Sequence, residues 1–149
     1  MGQEKRHDVA VSAVTRYLAE ESDETSGRYV FAYTITIRNV GSVAAQLVSR
    51  HWIIHDAQGQ VQEVRGLGVV GAQPLLRPGE SFEYTSGTAI ATSVGTMHGS
   101  YQMMAADGKA FDAPIPLFTL SMNAGMFFGC SISPSMRNTA SFAPPCSGP

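Results

Sequence analysis

The sequence of 149 residues predicts an all-β fold, in which two antiparallel sheets with about seven strands in total pack face to face as a sandwich. Short runs rich in aromatic and β-branched residues alternate with Gly, Pro and Asp turn signals from Val9 to Leu120. No segment shows the sustained apolar repeat of a helix. Hydrophobic residues make up 44% of the chain, which is enough to fill a core between two sheets.

The first half of this region contains three predicted strands. One begins at Val9, and its apolar alternation is expected to break near Ala13. After a loop at 23–27, the odd positions from Tyr29 to Ile37 are all large and apolar or aromatic, so they should line one face of a second strand. A third strand runs from about Gln46 to His55 and ends in a hairpin-like turn at 56–59.

The second half contains four more predicted strands. Val61 and Val64 belong to the returning strand of the hairpin, and the Pro-Gly pair in 77–80 is typical of a type II turn. The remaining strands carry Phe82 and Tyr84, then Met97, Gly99, Tyr101 and Met103 on one face, and finally Phe111 to Leu120. Two prolines in the last strand, Pro114 and Pro116, indicate a sheet edge.

This strand count favours an immunoglobulin-like or fibronectin type III-like sandwich. The Cys-Trp-Cys pattern of true immunoglobulin domains is absent, so the fibronectin-like variant fits better. The two cysteines, Cys130 and Cys146, both follow the predicted domain. They could pair if oxidised, but nothing in the sequence requires a disulfide.

The chain divides into three predicted segments. Residues 1–8 form a flexible N-terminus, and residues 9–120 form the sandwich domain. Residues 121–149 carry Arg137 as their only charge, so this tail is expected to be disordered or added by cloning. The alternative is a docking segment built on Met126-Phe127-Phe128.

Composition excludes several classes of partner. The net charge of −2 argues against nucleic-acid binding, and no apolar run is long enough to cross a membrane. The charged start shows no secretory signal, and the predicted domain contains no cysteine. We therefore expect a cytoplasmic protein with neither a nucleic-acid nor a membrane partner.

The segment Gly66-Leu67-Gly68-Val69-Val70-Gly71 matches the dinucleotide-binding pattern G-x-G-x-x-G. That chemistry needs a helix after the last glycine, and Pro74 and Pro78 leave no room for one. Two interpretations remain open. The glycines Gly66, Gly68 and Gly71 either shape a conformational loop or form an anion-binding nest of backbone N–H groups, assisted by Arg65 or Arg77.

The sequence offers no metal site or catalytic set. His51 and His55 share one face of a strand but lie about 13 Å apart, too far to bind one ion. There is no G-x-S-x-G elbow, and no acid–base pair is suggested. We therefore predict no catalytic residue, metal or cofactor.

Several ordered blocks resemble the ApaG family of small bacterial proteins, over about Val9 to Leu120. They are Tyr29-Val30-Phe31-Ala32-Tyr33, Thr36-Ile37-Arg38-Asn39, Gln46-Leu47, Arg50-His51-Trp52, Glu63 to Gly71, Gln73-Pro74, Pro78-Gly79-Glu80, Tyr84-Thr85-Ser86-Gly87, Gly95-Thr96-Met97-His98-Gly99 and Ile115-Pro116. The resemblance implies a fibronectin type III-like sandwich and a glycine motif shared by the family. The tail after Ser121 departs from the family pattern.

The resemblance also has functional implications. Similar domains in larger eukaryotic proteins, including F-box proteins, look like interaction modules. The bacterial proteins are associated with cobalt resistance, with magnesium efflux and with a gene neighbour that hydrolyses diadenosine tetraphosphate. The family brings no established catalytic residue.

We therefore expect a non-enzymatic module that binds an unidentified protein through the loop from Arg65 to Pro74. The alternative is a phosphate-containing small molecule, pyrophosphate or a nucleotide, bound at the Gly66–Gly71 loop with Arg65 and Arg77. A direct metal sensor would need a compact ligand set, which the sequence does not offer.

Overall fold

The computed structural model describes residues 6–122. They form eight strands, namely β1 (Val9–Tyr17), β2 (Tyr29–Asn39), β3 (Ala45–Asp56), β4 (Val61–Leu67), β5 (Leu75–Leu76), β6 (Ser81–Ile90), β7 (Val94–Ala105) and β8 (Ala110–Ser121). Two short 3-10 turns, at Ala19–Glu21 and Glu24–Ser26, lie between β1 and β2. These residues contain no α-helix.

The strands form two antiparallel sheets. The three-stranded sheet has the order β1-β2-β6, and the five-stranded sheet has the order β4-β3-β7-β8 with β5 also paired to β3. The predicted all-β sandwich is confirmed, and the strand beyond the expected seven is the two-residue β5. The closer likeness to fibronectin type III domains stays a prediction.

The core lies between the sheets and is lined by alternate residues of β2. Phe31, Ile35 and Ile37 are completely buried, as the predicted alternation requires. The opposite sheet contributes Leu47, Trp52, Met97, Tyr101, Met103 and Leu120, all nearly or completely buried. This burial is the main apolar stabilisation of the fold.

The predicted break in the alternation of β1 is wrong. β1 pairs with β2 without a register shift, from Val9 opposite Asn39 to Tyr17 opposite Phe31. Ala13 packs against the core, as do Val11 and Tyr17 of the same strand. Regular pairing with β2 therefore overrides the local pattern that Val14 suggested.

A register shift in β3 decides which residues face the core. The pairing of β3 with β7 shifts between Leu47 and Ser49, which leaves Val48 as the extra residue of a bulge. Leu47 is buried before the shift, and Trp52 and Ile54 are buried after it. Arg50 therefore lies on the core-facing side of the five-stranded sheet, and the residues on either side of it lie on the outer face.

The predicted turns are present. The Asp56 side chain accepts hydrogen bonds from the N–H groups of Gln58 (2.8 Å) and Gln60 (2.9 Å). In the 77–80 turn, the Glu80 N–H donates to the Arg77 carbonyl over 2.9 Å, and the φ of 87° at Gly79 suits a type II turn.

The two lateral edges of the five-stranded sheet differ. β8 lies at one edge, as its prolines predicted, and contacts β1 of the other sheet. β4 lies at the opposite edge, and six of its seven residues are exposed. Within residues 6–122, no strand pairs with the outer side of β4.

Residues 6–8, from the predicted N-terminal segment, contact the sandwich. The centroids of the His7 and Phe111 rings lie 5.4 Å apart. The Nε2 atom of His7 lies 2.9 Å from a carboxylate oxygen of Asp107. The Ser42 N–H donates to the Arg6 carbonyl over 3.2 Å. The tail predictions that concern Cys130, Cys146 and Met126-Phe127-Phe128 lie outside the described residues.

Candidate functional site

The glycine motif forms the end of β4 and a tight turn. The Val69 N–H donates to the Ala72 carbonyl, and the Ala72 N–H donates to the Val69 carbonyl, both over 2.8 Å. The two central residues, Val70 (φ 41°) and Gly71 (φ 81°), are both left-handed, which suits a type I′ turn. The chain then continues into β5, so the loop lacks the helix that dinucleotide binding needs.

Several N–H groups of the loop already have acceptors within the protein. The Gly68 N–H donates to the Val48 carbonyl over 2.9 Å, and those of Val69 and Ala72 complete the turn. An anion-binding nest needs such donors directed at its ligand. These three groups therefore cannot serve an anion while the turn is formed.

A close backbone contact requires glycine at position 68, and the end of a side chain lies close to Gly66. Gly68 has a φ of 64°, and a Cβ there would collide with the carbonyl oxygen of Ala72. A Cβ at Gly66 would lie 2.8 Å from the guanidinium carbon of Arg50. At Gly71 the φ of 81° favours glycine, but a Cβ would meet nothing described within 4 Å.

Arg50 is the residue of this site that sequence reasoning missed. Its guanidinium covers Gly66, the residue opposite it in the β3–β4 pair. Its Nη1 donates to the carbonyls of Leu67 (3.0 Å) and Gly68 (2.8 Å). Through these two hydrogen bonds, Arg50 connects the glycine loop to β3. The feature of the sequence that could have identified Arg50 is its position opposite a glycine, Gly66, in the predicted hairpin.

Behind Arg50 lies a buried group that we call the tyrosine cluster, formed by Tyr33, Tyr84 and Tyr101. The Tyr84 and Tyr101 hydroxyls are hydrogen-bonded over 2.6 Å. Trp52 packs edge-on against the rings of Tyr33 and Tyr101, with ring centroids 5.4 Å and 6.3 Å apart, respectively. Burial raises the pKa of all three phenols, so they are uncharged at neutral pH.

A shallow groove of about 600 Å³ lies beside the loop, and its lining includes Ser49, His51, Arg65, Ser100, Gln102 and Asp112. The Ser49 hydroxyl donates to the Gln102 side chain over 2.8 Å, and the Gln102 amide donates to Ser100 over 2.9 Å. The groove carries both signs of charge, from Arg65 and Asp112. Three of its polar side chains, those of Ser49, Ser100 and Gln102, are thus hydrogen-bonded to one another.

The structure places Arg65 in the groove but does not bring Arg77 to the loop. Arg77 lies in its own turn, 3.7 Å from a carboxylate oxygen of Glu80. Along β3, Leu76 is opposite Ala45 and Gly66 is opposite Arg50, a separation of five residues or about 16 Å. Of the two arginines offered as alternatives, Arg65 therefore lies beside the glycine loop and Arg77 lies apart from it.

Large apolar side chains are exposed along β4, the glycine loop and β5. We call this set the β4–β5 strip; it comprises Val61 (55% exposed), Val64 (37%), Leu67 (75%), Val70 (60%) and Leu75 (54%). Val69, within the same loop, is only 1% exposed and belongs to the core. The loop is thus anchored by one valine and presents the next valine to solvent.

The histidines lie apart from the glycine loop or pair with acids. His51 Nε2 lies 3.2 Å from a carboxylate oxygen of Glu63, and the His55 and His98 ring centroids are 5.8 Å apart. Among residues 6–122, no group of three or more His, Cys, Asp or Glu residues could hold a metal ion. The same residues include no helix of the length and hydropathy that a membrane span requires.

Comparison with known proteins gives a consistent result. A sequence profile of the ApaG domain matches residues 19–105. The Protein ApaG of Thiobacillus denitrificans is 67% identical to this chain over 122 residues, which cover 82% of this chain and 96% of that relative. The Protein ApaG of Nitrosospira multiformis is 64% identical over 122 residues, with the same coverage. Among solved structures, the crystal structure of the putative ApaA protein from Bordetella pertussis matches this fold with a TM-score of 0.79. The two sequences are 53% identical, and the match covers 82% of this chain and 99% of that one.

Proposed function

The chain belongs to the ApaG domain family, and on that premise we propose that it is a non-enzymatic module that binds protein through the β4–β5 strip. The strip lies along β4 and continues over the glycine loop. The cytoplasmic location and the association with cobalt resistance and magnesium efflux stay predictions from the sequence and its resemblance.

The left-handed backbone conformation of the exposed residue Val70 is the observation that carries this proposal. It is a β-branched residue with a φ of 41°, in the region that such residues avoid. Strain of this kind costs about 1–3 kcal/mol and tends to occur at functional sites. With 60% of its surface exposed, Val70 recovers little of that cost by burial. A contact with a binding partner would bury the side chain and offset the strain.

The position of β4 supports the same proposal. An unpaired edge offers backbone N–H and C=O groups to an added strand, and exposed side chains beside it provide specificity. On β4, Val61 and Leu67 lie on one face and Val64 on the other. A partner strand would therefore meet apolar side chains on both faces of the sheet.

The alternative function is binding of pyrophosphate or a nucleotide at the Gly66–Gly71 loop. Arg65 favours it, because it lines the groove together with His51. The loop geometry disfavours it, since the N–H groups of Gly68 and Val69 already donate to carbonyls. We therefore rank protein binding first.

The test compares capture by four forms of the full chain, namely wild type, Leu67→Asp, Val70→Asp and the control Leu117→Asp. Leu117 is 59% exposed on β8, at the other edge of the sheet, so its substitution makes the same chemical change elsewhere. Proteins retained from a native lysate are quantified, and circular dichroism checks the fold of each variant. We expect about a tenfold loss of specific capture for the two strip variants only. Equal capture by all four forms would remove the strip from the proposal.

A parallel titration tests the alternative. The isotope-labelled chain receives pyrophosphate, ATP or diadenosine tetraphosphate, and amide shifts are followed by NMR. Saturable shifts confined to Arg65–Gly71, lost in Arg65→Ala, would favour the small-molecule function. Silence at millimolar ligand would leave the glycines with a structural role.

A further inference from the structure

We propose that a second copy of this chain pairs with β4, with the two β4 strands antiparallel about a twofold axis at Val64. The two five-stranded sheets would then continue into one. This inference rests on the proposed function, because it names a partner for the same strand. The observations that carry it are the unpaired position of β4 within the described chain and the order of its side chains.

The sequence of β4 is complementary to itself in this register. With Val64 opposite the partner's Val64, Glu63 lies opposite the partner's Arg65, and Arg65 opposite the partner's Glu63. Val61 then lies opposite the partner's Leu67. Each unlike-charge pair in such a ladder is favourable, and each like-charge pair is unfavourable.

Neighbouring symmetric registers lack this complementarity. Centring the axis on Glu63 places that carboxylate opposite its own copy and pairs Arg65 with the partner's Val61. Centring it on Arg65 brings two guanidinium groups together and pairs Glu63 with the partner's Leu67. The register at Val64 therefore matches both the charges and the apolar residues.

The faces of β4 agree with the same arrangement. Residues directly opposite each other in an antiparallel pair lie on the same face. The four residues Val61, Glu63, Arg65 and Leu67 lie on the outer face, while Val64 faces the opposite way, as its partner Trp52 does. Side chains on both faces of β4 are exposed in the described chain. One side of β4 pairs with β3, and its other side is unpaired within residues 6–122, so an adjacent strand can pair there.

A contact limited to one seven-residue strand is small. Interfaces below about 1,200 Å² of buried surface are weak or transient. We therefore expect a dimer that forms with rising concentration and dissociates on dilution. Its charge pairs should make it weaker at high salt.

Sedimentation velocity on the full chain tests the inference, from about 10 μM to about 1 mM with reductant present to exclude disulfide dimers. Glu63→Arg places like charges at both pairs and should raise the dimer dissociation constant about tenfold or more, and Arg65→Glu should do the same. An equimolar mixture of the two variants should form a heterodimer, because every opposing pair is again unlike. The double variant E63R/R65E should recover self-association.

Recovery in the mixture also controls for folding, since a misfolded variant could not regain a specific partner. A chain that is monomeric throughout, or a dimer indifferent to all these changes, would overturn the inference. Monomeric wild type with capture still lost in Leu67→Asp would leave the proposed function standing without self-pairing. A monomeric wild type together with unchanged capture by Leu67→Asp would overturn both the self-pairing inference and the proposed function.

Discussion

The hydroxyl groups of Tyr84 and Tyr101 lie 2.6 Å apart in the core and join one sheet to the other. Tyr84 belongs to β6 of the three-stranded sheet, and Tyr101 to β7 of the five-stranded sheet. Tyr101 is completely buried, and Tyr84 is 7% exposed. Each hydroxyl therefore has the other as a partner where little water can reach.

Replacing one of these tyrosines should destabilise the fold more than its lost contact suggests. Tyr101→Phe leaves the Tyr84 hydroxyl buried without this partner, at a cost of about 1–3 kcal/mol. Tyr84→Phe has the converse effect. The double variant should cost less than the sum of the two, because neither hydroxyl remains to be satisfied. Urea unfolding of the four forms measures this coupling, and strict additivity would show that the two hydroxyls do not support each other.

The tyrosine cluster also predicts how stability changes with pH. Burial raises the pKa of Tyr84 and Tyr101 above the value in the unfolded chain, about 10. The folded state therefore keeps these protons while the unfolded state releases them. The free energy of unfolding should be unaffected by this pair below about pH 9 and should fall as the pH rises through and beyond 10.

Unfolding in urea at several pH values from about 8 to about 11 checks this dependence. The Y84F/Y101F variant serves as the control, because it lacks both ionisable groups. Its decline above pH 10 should be shallower than that of the wild type. Parallel curves for the two proteins would contradict the prediction.

The glycine loop predicts an unequal response to alanine. Gly68→Ala meets both an unfavourable φ and the Ala72 carbonyl, whereas Gly71→Ala meets only the unfavourable φ. The left-handed conformation costs a non-glycine residue about 1–2 kcal/mol. Gly71→Ala should lose about that amount, and Gly68→Ala clearly more. Thermal and urea unfolding of the two variants measure the difference, and equal losses would show that the Ala72 carbonyl can move without cost.

Much of the fold could be predicted from local patterns. The alternation from Tyr29 to Ile37 identified the strand that lines the core, and Pro-Gly at 78–79 identified a turn. These features depend on strand periodicity and backbone conformation, both of which are encoded within a few residues. The match of the two prolines to the edge strand β8 has the same origin.

The arrangement of the site depends on contacts that are distant in the sequence. The bulge at Val48 places Arg50 on the core-facing side, and the β3–β4 register then places its guanidinium over Gly66. Neither fact follows from local periodicity. The placement of Arg77 away from the glycine loop likewise depends on where β5 pairs along β3.

The two prolines of β8 have a consequence for how many copies can assemble. A proline has no N–H to donate, so Pro114 and Pro116 interrupt the hydrogen-bonding pattern that an incoming strand would need at that edge. Within residues 6–122, β4 is then the long edge strand of this sheet that remains suitable for pairing, and a twofold contact occupies it. Growth through this sheet should then stop at two molecules, whereas a sheet with two receptive edges could extend into a fibre.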